Sequence, residues 1–369
     1  MLIMHKRSNS SDFLLMFIVF ALLLIGLIMV FSASSYTDLI KHNGDAYYTF
    51  KRQLTWAGIG FFAMIFTMNY DYHKLKKFSI PLLIVSIMLL VVVLFMPGIK
   101  DVKRWIGIGP LTFQPSEIAK FSIALYMAST MSQNMNKIKS FTHIMLNYVL
   151  VGGLVFGLIL IEPNLSMAGT VLILVFIMLI AAGAKVSHLS FLAVVGSCAA
   201  VVFTMSEDYR YRRFTAFLDP WKDPLDTGYQ AVQSLLALGS GGLTGMGLGK
   251  SRQKFFYIPE PQNDFIFSII GEELGFRGSV IIITLFLLLV WRGIKIAMNA
   301  VDNFGSLLAV GLTSLIAIQT IINIAVATSS MPITGIPLPF ISYGGTSLVF
   351  MMITVGVLLN ISRYQKKSK

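Results

Sequence analysis

Only 12% of the 369 residues are charged, 56% are hydrophobic, and the mean hydropathy is +0.76. A soluble domain carries about a quarter charged residues, so composition excludes a soluble globular protein. The net charge of +12 does not imply a nucleic-acid partner, because Lys and Arg come in short clusters between apolar runs, the pattern of positive-inside loops.

The first apolar run follows His5, Lys6 and Arg7 and ends at Ser32-Ala33-Ser34, which loosely resembles a signal cleavage site. At 13–31 it is longer than a signal h-region of about 7–15 residues, so it reads as a retained helix. Nine more runs follow, and the expected spans are 13–33, 53–69, 79–96, 115–132, 142–161, 165–183, 188–205, 265–291, 305–328 and 343–361. A hydrocarbon core of about 30 Å needs about 20 apolar residues. The chain therefore reads as all-α, a polytopic membrane protein of ten transmembrane helices forming a single domain over 1–369. Its one cysteine, Cys198, lies in the seventh run and leaves no internal disulfide.

The fourth and eighth spans are the most polar, with Glu117 and Lys120 in one and Glu272, Glu273 and Arg277 in the other. The strictly apolar part of the eighth, 279–291, is too short to cross alone, so its acidic half is expected to be sheltered by neighbouring helices or a water-filled cavity. Glu273 and Arg277 stand at i and i+4 and read as an ion pair.

Lys74, Lys76, Lys77, Lys137, Lys139, Lys185, Arg292 and Lys295 fall on one set of loops. The other set holds few, among them Lys41, Lys51, Arg52, Lys100, Lys103 and Arg104. Both termini are therefore expected in the cytoplasm, with the long 206–263 loop outside. That loop contains a turn-rich 218–224 segment and a stretch, 229–238, suited to a short amphipathic helix at the membrane surface. It also has six glycines in 239–249. Gly245, Gly247 and Gly249 mimic a nucleotide fingerprint, but no strand precedes them, and a flexible or closely packed loop is expected. Three prolines in 332–340 forbid a regular helix in a segment too apolar for an exposed loop, so it is expected to dip into the outer leaflet or line a cavity.

With this topology every even-numbered helix begins outside, and the polar residues gather at those beginnings. They are Arg52, Glu117 with Lys120, Asn164 with Ser166, Asp264, and Ser342 with Thr346. Helix N-termini beside Arg52 and Lys120 suit an anion such as pyrophosphate. Plainer readings stand beside this one. Asp264 fits a helix N-cap as well as a reactive carboxylate, Glu117 and Lys120 fit a structural pair, and Asn164 fits a cap. The histidines His42, His73, His143 and His188 lack metal-ligand spacing.

Five motifs in order carry a resemblance: Arg213 with Phe217-Leu218-Asp219-Pro220-Trp221 and Pro224; Gly228-Tyr229-Gln230 with Ser234; Pro259-Glu260 with Asn263-Asp264-Phe265-Ile266-Phe267; Glu272-Glu273 with Gly275-Phe276; and Pro337 with Phe340-Ile341-Ser342-Tyr343-Gly344-Gly345. Together they resemble the SEDS family (shape, elongation, division and sporulation), closer to its FtsW and SpoVE branch than to RodA.

The resemblance implies a peptidoglycan glycosyltransferase that polymerises lipid II on the outer face of the bacterial cytoplasmic membrane. Its implied partners are a class B penicillin-binding protein acting as transpeptidase, membrane lipids, and other division or sporulation proteins. It makes Asp264 the catalytic acid of the family's motif, and Arg52, Glu117 and Lys120 family site residues. Gln230, Ser342 and Thr346 are added as substrate-binding, and Glu272, Glu273, Arg277 and Asn164 as supporting residues. Many members have Gln-Pro-Asp where this chain has Glu162-Pro163-Asn164, so that aspartate's role is open here unless Glu162 supplies the charge.

The chemistry agrees. A carboxylate at Asp264 would take the acceptor hydroxyl's proton, and Arg52, Lys120 and Arg213 would meet the leaving pyrophosphate. A divalent ion such as Mg2+ or Mn2+ is compatible with that step. The rival readings are a lipid II flippase and a non-catalytic scaffold. Against the flippase, the charges lie in the outer half, and the inner half holds little beyond Gln319 and Asn323.

Overall fold

The structure is a computed structural model that describes residues 11–96, 103–108, 111–162, 164–206 and 208–364. Thirteen α-helices follow in chain order among the described residues. They are α1 (Phe13–Lys41), α2 (Tyr48–Asn69), α3 (Tyr72–Phe95), α4 (Pro115–Gln133), α5 (Phe141–Ile144), α6 (Leu150–Ile161), α7 (Leu165–Ala181), α8 (Val186–Met205), α9 (Asp208–Leu218), α10 (Tyr229–Ser240), α11 (Ile266–Met298), α12 (Asn303–Ala327) and α13 (Gly345–Ser362). A π-helical stretch, Met145–Val149, joins α5 to α6.

Each of the ten apolar runs is helical, with α5 and α6 sharing the fifth. Among the described residues, six helical stretches are long and apolar enough to cross a membrane, and Leu165–Ala181 and Val186–Val202 are shorter apolar helices. The remaining two, α2 and α4, carry the polar residues Lys51, Arg52, Glu117 and Lys120. Side-chain caps start several helices: Asp12 on α1, Asp71 on α3, Asn164 on α7 and Asp302 on α12 each accept a first-turn N–H.

The middle of the bundle is α12 and α13, whose apolar windows are 72% and 78% buried. Against α13 lies α2, so close that a Cβ at Gly356 would stand 2.0 Å from Thr67 Oγ1. At the edge, α8 turns most of its side chains outward.

Three differences from expectation have local causes. A short antiparallel hairpin, β1 (Ile106–Ile108) and β2 (Leu111–Phe113), precedes α4, with Ile106 opposite Phe113. Its β-branched and aromatic residues favour pairing, but three-residue strands leave too little alternation to stand out. The long loop contains α9 as well as the expected helix near 229–238, which is α10. Rather than lying apart, α10 packs on α11 and α12, with Ser234 Oγ 2.6 Å from both Ser268 Oγ and the Ala327 carbonyl.

The third difference is in α11. Gly275 has φ 68 and ψ −166, which breaks the helix. The carbonyls of Glu272 and Glu273, freed by the break, accept from Met246 N at 2.9 Å and Gly247 N at 3.0 Å. The glycine-rich loop is thus closely packed against α11, and a Cβ at Gly245 would sit 2.2 Å from the Glu273 carbonyl oxygen. Irregular backbone at this depth is tolerated because another segment satisfies it.

The break also overturns the expected Glu273–Arg277 pair, since i and i+4 no longer share a face across Gly275. Glu273 instead pairs with Lys254 at 3.1 Å and accepts from Ser32 Oγ at 2.7 Å and Ser251 N at 3.2 Å. Glu272 accepts from Arg252 N at 2.8 Å and from Ser251 Oγ. Arg277 is exposed. Two buried carboxylates thereby fasten the loop and α1 to the helix that follows Asp264.

Candidate active site

The 331–344 segment is non-helical, as its prolines require, and Ile336, Leu338, Phe340 and Ile341 are buried within the protein. Phe340 has φ 64, a strained value for a bulky residue. Gly26 of α1 lies directly beneath, where a Cβ would meet the Phe340 carbonyl oxygen at 2.5 Å.

This segment clamps the main chain around Asp264. Ser342 Oγ donates to the Asn263 carbonyl at 2.6 Å, Tyr343 N donates to the Gln262 carbonyl at 2.9 Å, and Leu338 N donates to Ser342 Oγ at 2.8 Å. From α12, Asn323 Nδ2 donates to both the Asp264 and the Ile336 carbonyls at 2.9 Å. Gln53 of α2 holds the next turn, donating to the Ser342 carbonyl and accepting from Gly344 N, each at 3.2 Å. Asp264 is therefore fixed by its backbone. Its carboxylate points toward Gly335, where a Cβ would lie 3.7 Å from Oδ2.

Asp264 does not cap α11. The cap position is Phe265, and no side chain bonds the first turn. Burial pushes the Asp264 carboxyl up to about 7, reinforced by the negative charge of Glu260 and opposed by Arg104. Glu260, with φ 46, accepts from Asn263 Nδ2 at 2.7 Å.

The same arginine reaches a second carboxyl. Arg104 Nε donates to the Glu162 carbonyl at 2.9 Å. The Glu162 carboxyl is fully buried, both its oxygens lack a hydrogen-bond partner among the described residues, and burial pushes it up to about 8 against the pull of Arg104. Arg104 was only one loop charge in the sequence. What brings it to this centre is its hydrogen bond to Glu162 at the α6–α7 junction, for which a Lys103-Arg104-Trp105 triplet gives no signal.

The other expected residues fall around this centre. Glu117 and Lys120 are both 1% exposed and paired at 3.0 Å, with Lys120 Nζ also 3.3 Å from Met167 Sδ on α7. Arg52 stacks over Tyr48, and its charge bears on the Tyr343 phenol. Thr346 Oγ1 accepts from Gln114 N at 3.4 Å, linking α13 to the start of α4. Asn164 caps α7 through Met167 N, the bland alternative. Arg213 and Gln230 line a separate cavity with α9 and α10.

The beginnings of α2, α4, α7, α11 and α13 thus meet at one end of the bundle, as helix parity requires. Asn323 belongs to that end too, so it does not furnish the polar inner half considered for a flippase.

Ser116 Oγ, Glu117 Oε2, Gln262 Oε1, Asn263 Oδ1, Asn323 Oδ1 and Thr334 Oγ1 are buried here without a protein partner among the described residues. Nearly all buried polar groups in native proteins are paired, so this concentration marks where a polar substrate or solvent completes the bonding. Among the described residues, no three His, Cys, Asp or Glu side chains are grouped to hold a metal.

Comparison with known proteins shows the family. A family model described as cell cycle protein, covering FtsW, RodA and SpoVE, matches residues 13–367. The chain is 47% identical to stage V sporulation protein E of Bacillus subtilis, over 98% of this chain and 100% of that protein. It is 42% identical to the probable peptidoglycan glycosyltransferase FtsW of Geobacter sp. strain M18, over 97% and 98%. Among solved structures it resembles a chain of a peptidoglycan synthase complex described as coordinating polymerization and crosslinking. The TM-score is 0.80 and the identity 27%, covering 98% of this chain and 100% of that one. It also resembles the rod shape determining protein RodA of Thermus thermophilus, with TM-score 0.73 and 27% identity over 97% and 99%. The chain belongs to the cell cycle protein family of FtsW, RodA and SpoVE.

Proposed function

We infer that this chain is a membrane-embedded peptidoglycan glycosyltransferase that polymerises lipid II. The observation that carries the mechanism is the Asp264 carboxyl, held by its backbone between α12 and the 331–344 segment and pushed up to about 7 by burial. A carboxylate of that basicity is matched to taking a proton from a sugar hydroxyl near neutral pH, an effect of roughly 10² to 10⁴-fold. The acceptor's O–H proton passes to Asp264 as its oxygen bonds the donor's anomeric carbon. The bond from that carbon to pyrophosphate breaks, and the electron pair leaves on the phosphate oxygen.

Arg104, whose charge bears on Asp264, is the cation assigned to the departing charge, with Arg52, whose charge bears on Tyr343, as a second. Lys120 is already paired with Glu117, so its role is to hold α4 against α7 as much as to meet an anion.

The site faces the outer side of the bacterial cytoplasmic membrane, both termini lie in the cytoplasm, and 1–369 forms one domain whose 206–263 loop is external. This orientation rests on the distribution of Lys and Arg. A class B penicillin-binding protein is the crosslinking partner, a reading supported by the similarity to a peptidoglycan synthase complex. Division and sporulation relatives are both close.

Purified chain with its transpeptidase partner is expected to convert lipid II into glycan strands. A flippase would instead move lipid II between vesicle leaflets and make no glycan.

A further inference from the structure

The chemistry at Asp264 leaves one large cavity unused. About 450 Å³ in volume, it lies between α9, the start of α10, Pro259 and the 329–333 turn. Arg212 and Arg213 line it from one helix, and Asp226 is the one acid in its lining, so the cavity is net positive. Thr227, Gln230 and Ser329 add hydrogen-bonding groups, and Phe217 and Ile333 add apolar wall. Two guanidiniums select a planar oxyanion. The space is several times what a phosphate fills, and the mixed lining suits an anion that carries a larger body with polar and apolar sides.

The position decides which anion. Pro259 is close in sequence to Asp264, and Ile333 to Gly335, whose Cβ position faces the Asp264 carboxylate. The cavity is thus lined by the same two segments that carry Asp264 and Gly335. The charges that bear on Asp264 are those of Glu260 and Arg104. Pyrophosphate is bonded directly to the reacting sugar carbon, so it stays within the reacting centre, which Arg104 shares with Asp264. An anion held by Arg212 and Arg213 is one carried further out on the substrate, and peptidoglycan precursors carry carboxylates there, on the peptide stem.

We propose that this cavity is a carboxylate-binding subsite for the acidic peptide stem of the substrate, with Arg212 and Arg213 on the carboxylate and Gln230 and Ser329 on stem amides. This reassigns Arg213 from the pyrophosphate to the stem, and it rests on the proposed polymerase function.

The test measures polymerisation by the chain with its transpeptidase partner, using lipid II with intact stem carboxylates and lipid II with those carboxylates amidated. Amidation is expected to raise the wild-type KM about tenfold or more while kcat changes less than about threefold, the size of a lost charge-assisted contact. Arg212→Gln is expected to raise the KM for intact substrate by a similar factor, after which amidation adds less than about twofold; Arg212→Lys recovers part of the loss. An unchanged wild-type KM for amidated substrate overturns the proposal. So does an Arg212→Gln loss that is equal on both substrates, which would return these arginines to a phosphate. No glycan from wild-type protein and intact substrate would instead overturn the polymerase reading itself.

Discussion

A single aspartate can be poised as a base by the charges on either side of it. Glu260 raises the Asp264 carboxyl and Arg104 lowers it, around a value near 7 set mainly by burial. A base works only when deprotonated, so the rate is expected to rise with pH along an acid limb centred near 7 and then level off. Glu260→Gln removes a negative neighbour, favours the carboxylate, and should move that limb to lower pH. Arg104→Gln removes the positive neighbour and should move it higher. Both shifts are read from pH–rate profiles normalised to their own maxima, so a loss of substrate binding does not mask them. Limbs that stay in place in both variants would detach these residues from Asp264. The sequence showed Asp264 and its motif but left cap and base equally open. The fold removes the cap, because Phe265 takes that position while Asn323 and Ser342 hold the backbone, and the pH profiles test the base.

At the scale of elements, helices were legible because continuous apolar runs of about 20 residues leave few alternatives. The polar bonds between elements were not. Glu273 stood four residues from Arg277, and local spacing favoured that pair. Gly275 broke the register, and the partner became Lys254, nineteen positions back in a loop. Ordinary helix rules fail where a glycine at φ 68 lets a second segment take over the freed carbonyls.

The network so formed puts Glu272 and Glu273, both 1% exposed, beside one buried lysine. Lys254→Met leaves that charge uncompensated and is expected to destabilise the protein by about 3–5 kcal/mol, seen as a lower melting temperature in detergent. Adding Glu273→Gln should restore much of the loss. A Lys254→Met protein that melts like the wild type would mean that the loop is held by its backbone bonds alone.

Across the whole molecule, alternate helices run in opposite directions, so each end of the bundle has its own set of contacts. At the end opposite Asp264, Arg292 of α11 bonds Asp12, Asp12 N donates to Ser362 Oγ at 3.2 Å, and Tyr72 N donates to Asn360 Oδ1 at 2.9 Å. Lys74, Lys76 and Lys77 sit at that end on the first turns of α3, the positive side expected in the cytoplasm. Cys198 is the only cysteine, so a Cys198→Ser background reports sidedness cleanly. Lys222→Cys in the long loop should react with a membrane-impermeant maleimide in intact cells, and Lys77→Cys only after the membrane is opened. The reverse pattern would invert the topology and put the site in the cytoplasm.

The central claim is that Asp264 is the general base of glycan polymerisation, and Asp264→Asn, nearly isosteric, tests it most directly. With the variant reconstituted beside its transpeptidase partner, lipid II should remain unpolymerised, down by at least about 10²-fold from wild type, although the protein still inserts and binds its partner. Glycan strands made at close to the wild-type rate would contradict the account.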